Sequence, residues 1–412
     1  MIRKRTLFSA FAGAFALLLM VVGPSLLGGS TGQPAEAASP GTTAERGSAG
    51  KVSPFARPGM WIWYVSAAEG GDPGRIIRKA KAHGIGTLYI KSADGTDTWS
   101  QFTKSLVRRF QRAGLDVCGW HYVYGRGPAR EARASAYAKR QGADCFVIDA
   151  ETEYEGDNQY AKADRYIRKL RDLVGRKFKL GLSTFPYTHY HPALPYSVFL
   201  GPGGATANLP QVYWKTIGDT ARESVSITWI YNSLYGRKIY PLGQTYLNPS
   251  RSSVRNFRRY IASYGTAPSW WSWQHTGTRQ WRALRGRAKP FRGYSPERSR
   301  MVLRSGSRGD QVVWLQQHLR GAGYTRVPAS GIFGKRTRKA VRAFQRTRGL
   351  GVDGVVGTTT WNRLLRVDPV RIRWAGRRSL RSLGDREPLS ADLPAIRNEL
   401  AGGSRGGPAQ SG

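Results

Sequence analysis

Short apolar runs recur along the first two thirds of the chain, at Met60–Ser66, Thr87–Ser92, Leu115–Tyr122, Cys145–Glu151, Phe178–Thr184, Leu209–Trp214, Lys238–Gln244 and Ser269–Gln274. Between most of them lie stretches whose apolar residues fall three and four apart, as at Asp72–His83, Trp99–Ala113, Ala129–Gln141, Asn158–Val174 and Ser250–Tyr264. The first pattern predicts strands and the second amphipathic helices. Asp72-Pro73 and Asn248-Pro249-Ser250 read as helix starts, and Gly84, Gly114, Gly142, Gly175 and Gly265 stand where helices would end. Strands alternating with helices over residues 59–281 predict an α/β fold, a (β/α)8 TIM-type barrel. The weakest unit joins strands five and six, where Pro192, Pro195 and Gly201-Pro202-Gly203-Gly204 make the fifth helix short or missing. A doubly wound open sheet is the competing topology, but no phosphate-binding glycine turn follows the first strand.

The two ends have a different composition. Residues 1–37 combine Arg3, Lys4 and Arg5 with an apolar run from Leu7 to Leu27 and a small-residue cleavage pattern, Ala35-Glu36-Ala37. That is the make-up of a secretory signal peptide; the alternative is an uncleaved membrane anchor, against which Gly23-Pro24 breaks the run. Either way the body is expected outside the cytoplasm. Residues 38–58 read as a flexible linker, 282–300 as a basic linker, and 301–366 as a small second domain. Residues 367–412 read as a disordered tail with at most one short helix, at Leu393–Leu400.

A formal net charge of +39 requires a polyanionic partner: nucleic acid, an anionic membrane surface or an anionic wall polymer. Export removes nucleic acid, and leaves membrane contact only to an uncleaved signal segment. Cys118 and Cys145 lie in strands predicted to be neighbours, so a bridge and two buried thiols are both open. The chain is read as a monomer without a cofactor.

The second domain carries the most specific signal. Leu315-Gln316 and Phe344-Gln345 stand in predicted helices, each followed by a G-x-x-G-x-x-T turn, Gly331 to Thr337 and Gly354 to Thr360. Val312, Leu315, Leu319, Phe333, Ala340, Val341, Phe344, Val355, Trp361 and Leu364 can close a three-helix core. This segment resembles the peptidoglycan-binding-like domain family over essentially its whole length, which implies that it holds a glycan strand or stem peptide in a groove between helices. Ala329-Ser330-Gly331 departs from the family, which more often has Asp before the glycine, and that implies one lost turn hydrogen bond. Between Thr276 and Leu350, Lys and Arg outnumber Glu297 and Asp310 by roughly nine to one, a patch suited to anionic wall polymers.

A barrel places its chemistry at the C-terminal ends of its strands, and the richest such end is Asp149-Ala150-Glu151-Thr152-Glu153-Tyr154-Glu155. Alternation puts Asp149, Glu151 and Glu153 on one face and Phe146 and Ile148 on the other, toward the helices. Asp149 and Glu151 then project into the mouth, about 6.5 Å apart at Cα, where two like charges push one pKa up. Such a pair suits glycosidic cleavage. Glu153 and Glu155 read as solvated or ion-paired.

Together with Gly119-Trp120-His121-Tyr122, Gln211-Val212-Tyr213-Trp214 and Trp271-Ser272-Trp273-Gln274, this D-x-E resembles the lysozyme-type barrels of glycoside hydrolase family 25. The resemblance implies a muramidase-like hydrolase with Glu151 as general acid. Asp149 would steady the oxocarbenium-like centre or orient an acetamido group, and Tyr122, Tyr213, Trp214, Trp273 and Gln274 would line the sugar cleft. The family's first-strand Asp has no counterpart in Met60–Ser66, and Asp94 or Asp97 is the nearest substitute. That gap keeps a non-catalytic, wall-binding barrel as the alternative. A third reading gathers His189, His191, His121, His275 and Asp149 around a metal, but no H-x-x-E-H or D-H pair supports it.

Overall fold

The computed structural model describes residues 52–156 and 158–374. The expected signal segment, most of the first linker and the helix expected at Leu393–Leu400 lie outside the described residues.

The barrel strands are β1 (Gly59–Ile62), β2 (Thr87–Asp94), β3 (Asp116–Val123), β4 (Cys145–Ala150), β5 (Lys179–Thr184), β6 (Ala207–Val212), β7 in two pieces (Lys238–Ile239 and Leu242–Gln244) and β8 (Ser269–Trp271). Neighbours run parallel all round, and β8 pairs with β1, Trp270 opposite Met60, so the sheet closes. Pro241 explains the break in β7, since proline cannot donate to the ladder.

Strand parity sorts the core into two layers. Ile62, Leu88, Ile90, Val117, Phe146, Ile148, Leu180 and Leu182 face outward to the helices. Trp61, Tyr89, Trp120, Val147, Leu209 and Leu242 fill the interior, where Trp61 and Tyr89 stack at 5.0 Å. Cys118 and Cys145, opposite each other in β3 and β4, form a disulfide. Phe55, on the turn Pro54–Ala56, joins this inner layer with 3% exposure, so the expected flexible linker ends before residue 54.

Around the barrel run α1 (Pro73–Ala82), α2 (Lys104–Arg112), α3 (Pro128–Ser135), α4 (Gln159–Val174), α5 (Tyr196–Phe199), α6 (Ala221–Asn232), α7 (Arg251–Ser263) and α8 (Thr278–Leu284). Helix α5 is a single turn, as the Pro/Gly-rich connection requires. Helix α6 is covered on both its sides, Ser224 through Thr228 being buried without a break.

One of the covers on α6 is the C-terminal module, built from α9 (Asp310–Gly321), α10 (Lys335–Thr347) and α11 (Thr358–Leu364). Its repeated glutamines have a shared task. Gln316 accepts from the N–H groups of Ser330 and Gly331 at 2.9 and 3.0 Å and donates to Ile332 O and Thr337 Oγ1 at 3.0 Å each. Gln345 does the same for the second turn, accepting from Gly354 N at 2.9 Å and donating to Val355 O at 2.8 Å. Gly331 and Gly354 adopt φ of +70° and +79°, which explains why both turns carry glycine at this position. The turn bond expected to be lost at Ala329-Ser330 is made by Ser330 Oγ, accepting from Ile332 N at 3.3 Å where Asp353 accepts from Val355 N at 2.8 Å.

The module is docked on the barrel. Helix α9 is buried from Asp310 to Leu319. Asp310 Oδ1 accepts from Tyr160 Oη and Ser197 Oγ at 2.8 and 2.6 Å, and Oδ2 accepts from Ser197 N and Tyr235 Oη at 2.8 and 2.9 Å. Trp314 Nε1 donates to Leu234 O at 2.6 Å, and Gln311 Nε2 to Thr188 O at 2.8 Å. A Cβ on Gly309 would meet Pro192 Cβ at 2.7 Å, so the helix start needs glycine to approach this closely.

Two expected boundaries need correction. Residues 282–284 belong to α8, and Arg300 and Met301 bond to Ser233 and Ile230, so the basic linker is tied down at both ends. Residues 367–374 are packed, with Ile372 and Trp374 buried, Trp374 against Tyr160 at 4.6 Å, and Arg371 on Asp164 at 3.1 Å. The expected tail therefore starts no earlier than residue 375.

Candidate functional site

Strand β4 supplies the centre of the mouth. Cys145 and Val147 point inward, Asp149 follows them at 5% exposure, and Glu151, still extended at φ −127°, stays on the same side just past the strand. The turn Thr152–Tyr154 then ends the alternation, so Glu153 does not continue the row. Glu153 instead accepts from Tyr122 Oη at 2.7 Å, and Glu155 pairs with His191 Nδ1 at 2.6 Å.

One side chain joins the two acids. Gln211 Nε2, inward from β6, donates to Asp149 Oδ1 at 3.0 Å and Glu151 Oε1 at 2.8 Å, so those bond lengths hold the two oxygens within 5.8 Å of each other. Burial pushes the Glu151 carboxyl up to about 7, opposed by the Gln211 bond and reinforced by the Glu153 charge. Burial also drives Asp149 well above the usual carboxylate range, with the Glu151 charge adding to it; Lys91, Ser183 and Gln211 pull the other way. A protonated acid and a carboxylate can therefore coexist here near neutrality.

Lys91 is the inward residue of β2 at this level, 2% exposed. Its Nζ lies 4.5 Å from the Trp63 ring centre and 4.8 Å from those of Trp99 and Trp120, and it pairs with Asp94 at 2.5 Å. Burial lowers its pKa, and Asp94 and Asp149 raise it. Asp94, which also accepts from Tyr124 Oη at 2.9 Å, is thus occupied by Lys91, and Asp97 is exposed. Neither takes the place of the absent first-strand carboxylate, where Trp61 of β1 and Trp63 just past it turn inward.

The expected cleft residues divide. Tyr122 and Tyr213 stand at the mouth: Tyr122 bonds Glu153, and both phenols are held neutral by burial and by the nearby carboxylates. Gln274 sits at the rim, donating to Tyr64 O at 2.9 Å. Trp214 does not face the mouth; it stacks on Phe257 at 4.7 Å in the outer layer, 3% exposed. Trp273 is also in the outer layer, 4.9 Å from Trp281 and bonded through Nε1 to Glu69. Each tryptophan lies just past its strand, where a helical turn replaces the alternation that would have aimed it inward. The aromatic wall is built instead by Trp63, Trp120 and Trp271, with Trp120 and Trp271 5.3 Å apart. Sequence reading missed Lys91 and Gln211 as site residues, although each is a polar residue in phase with inward apolar ones, Tyr89 and Leu209.

The histidines are scattered. His189 stacks on Tyr231 at 3.7 Å, and burial pushes it down to about 3; His121 faces outward and bonds Ser135. His275 bonds Ser272. Among the described residues, no group of three or more His, Cys, Asp or Glu side chains is placed to hold a metal ion. Among the same residues, no helix is long and apolar enough to cross a membrane.

Comparison with solved structures gives similarity to the catalytic domain of endolysin ply40 from bacteriophage P40 of Listeria monocytogenes, 20% identical over 27% of this chain, with a TM-score of 0.23. This chain spans 57% of that domain's length. It is also similar to α-galactosidase I from Mortierella vinacea, 10% identical over 57% of this chain and 71% of that one, TM-score 0.36. A sugar phosphate isomerase/epimerase from Parabacteroides distasonis is 10% identical over 55% of this chain and 95% of that one, TM-score 0.37. The module is placed by sequence: residues 308–364, spanning α9 to α11, match the model of a putative peptidoglycan binding domain.

Proposed function

We propose that this chain is an exported, wall-associated peptidoglycan hydrolase with muramidase-like chemistry. The observation that carries the reading is the pair of inward carboxylates, Asp149 and Glu151, joined by one amide in an aromatic-walled barrel mouth. Burial lets the pair keep a proton near neutrality, and Glu151, the outer of the two, passes it to the glycosidic oxygen as that bond breaks. Asp149, deeper and bridged by Gln211, steadies the oxocarbenium-like centre and its acetamido neighbour in its ionised form, until water adds to that centre and returns a proton to the pair. The indoles of Trp63 and Trp271 offer flat faces to sugar C–H groups. The C-terminal module holds the same polymer and raises its local concentration. The excess of Lys and Arg adds affinity for anionic wall polymers.

A second reading rests on the first strand, which buries Trp61 beneath the mouth and is followed by Trp63 at it, with no carboxylate, while Lys91 engages Asp94. In that reading the barrel binds glycan without cutting it. A zymogram on purified walls separates the two. Clearing by wild type that vanishes in Glu151→Gln and persists in Glu155→Gln supports the hydrolase; binding without clearing by wild type refutes it.

A further inference from the structure

A second concave surface lies on the same end of the barrel, beside the carboxylate mouth. It is a groove of about 910 Å³ between the segments that follow β6, β7 and β8. Lys215, Arg222, Arg251 and Arg279 line it, and Asp219, the single acid of the lining, already accepts from Tyr187 Oη at 2.6 Å. None of the four cations is in an ion pair with a described carboxylate. Arg251, Arg279 and Lys215 are exposed, so they can be reached from solvent. The groove also has an apolar wall, Pro249 and the half-buried Tyr260, and a row of neutral donors, Asn248, Ser252 and Asn256 among them.

One stretch of chain separates the groove from the mouth. Tyr213 belongs to the mouth and Trp214, the next residue, to the groove. Tyr246 packs edge-on against Tyr213 at 5.2 Å, and Asn248, two residues on, lines the groove. The Tyr213–Tyr246 rim is all that stands between them, so a substituent of a glycan strand held over Asp149 and Glu151 has only this rim to cross.

We propose that the groove is a subsite for the carboxylate-bearing stem peptide of the strand held in the mouth. The glycan backbone itself is uncharged, and its peptide branches carry the carboxylates that the exposed Arg251 and Arg279 would recognise, Lys215 being held by Leu247 O and Asn248 O and Arg222 lying over the Tyr294 ring. The mixed lining decides between a peptide and a polyol phosphate chain. Methyl side chains and amide groups match the apolar wall and the Asn and Ser donors, whereas a bare phosphodiester has no use for Pro249 or Tyr260. The assignment rests on the hydrolase reading for which strand lies in the mouth, but peptide binding requires no bond to be cut.

The test is calorimetric titration of the full chain with a synthetic stem tetrapeptide, with the same peptide amidated at its carboxylates, and with short poly(glycerol phosphate). The carboxylate form is expected to bind about tenfold more tightly than the amidated one, and Arg251→Ala/Arg279→Ala to abolish that preference at unchanged Tm. If the double variant melts early, Arg279→Gln alone should reduce the preference. Equal binding of the two peptides, or an unaltered preference in variants that fold, overturns the proposal. Tighter binding of poly(glycerol phosphate), lost in the same variants, overturns it in favour of a phosphate polymer. A wild type that fails to clear walls yet prefers the carboxylate peptide refutes the hydrolase reading and leaves the groove standing.

Discussion

Asp310→Ala should loosen the module from the barrel. The carboxylate has no exposed surface and accepts four hydrogen bonds from Tyr160, Ser197 and Tyr235. Removing it strands three buried hydroxyls and one buried N–H, and truncating a buried network of this kind costs about 3–5 kcal/mol. The assay is thermal unfolding with limited proteolysis across residues 285–300. A Tm lower by roughly 6 °C or more and faster cleavage in that segment are expected. The same site fixes a pH dependence. Burial pushes the Asp310 carboxyl up to about 6 from an ordinary 3.8, and the ionisable groups around it, Tyr160, Tyr196 and Tyr235, stay neutral. The folded state therefore keeps the proton longer than the unfolded one. The contribution of this group falls as pH rises from 3.8 through 6 and is flat above, a loss of about 1 kcal/mol between pH 5 and pH 7. Asp310→Asn should be flatter than wild type by that amount over the same interval. An unchanged Tm and cleavage pattern in Asp310→Ala, or an identical pH slope in Asp310→Asn, would refute the role of this contact in docking.

Wall clearing should decline above pH 7, as the Glu151 carboxyl loses its proton through about 7, by roughly tenfold per unit once well above it. A rate that stays flat to pH 9 contradicts Glu151 as the acid. Gln211→Leu removes the one donor that reaches both carboxylates, a loss of ~1.5–3 kcal/mol or roughly 10- to 100-fold in kcat, and shifts the alkaline limb upward. Full activity with an unmoved limb would show the bridge to be incidental. Replacing both Cys118 and Cys145 with serine opens a link across 27 residues and should cost about 3 kcal/mol, read as a lower Tm that no longer responds to reductant. A wild-type Tm insensitive to reductant argues against a bridge in solution.

Much of the site was legible because strands obey a strict period. Asp149 and Glu151 were placed by parity alone, and they point where the alternation of Phe146 and Ile148 requires. The same rule failed at Glu153, Trp214 and Trp273, each set just beyond a strand where the chain turns helical. Lys91 and Gln211 keep the same period, but their roles depend on partners from strands remote in sequence.

The sequence by itself determined the eightfold strand–helix order, the inward phase of the acids, and the two glutamine-braced turns of the module, because these follow from contacts within a few residues. The tertiary structure decided that α6 is a covered helix, that Asp310 leaves its own domain for a pocket of barrel hydroxyls, and that a tryptophan-ringed lysine and a bridging amide frame the carboxylates. Those arrangements join residues tens to more than a hundred positions apart, and local pattern holds no record of which distant surfaces will exclude water together.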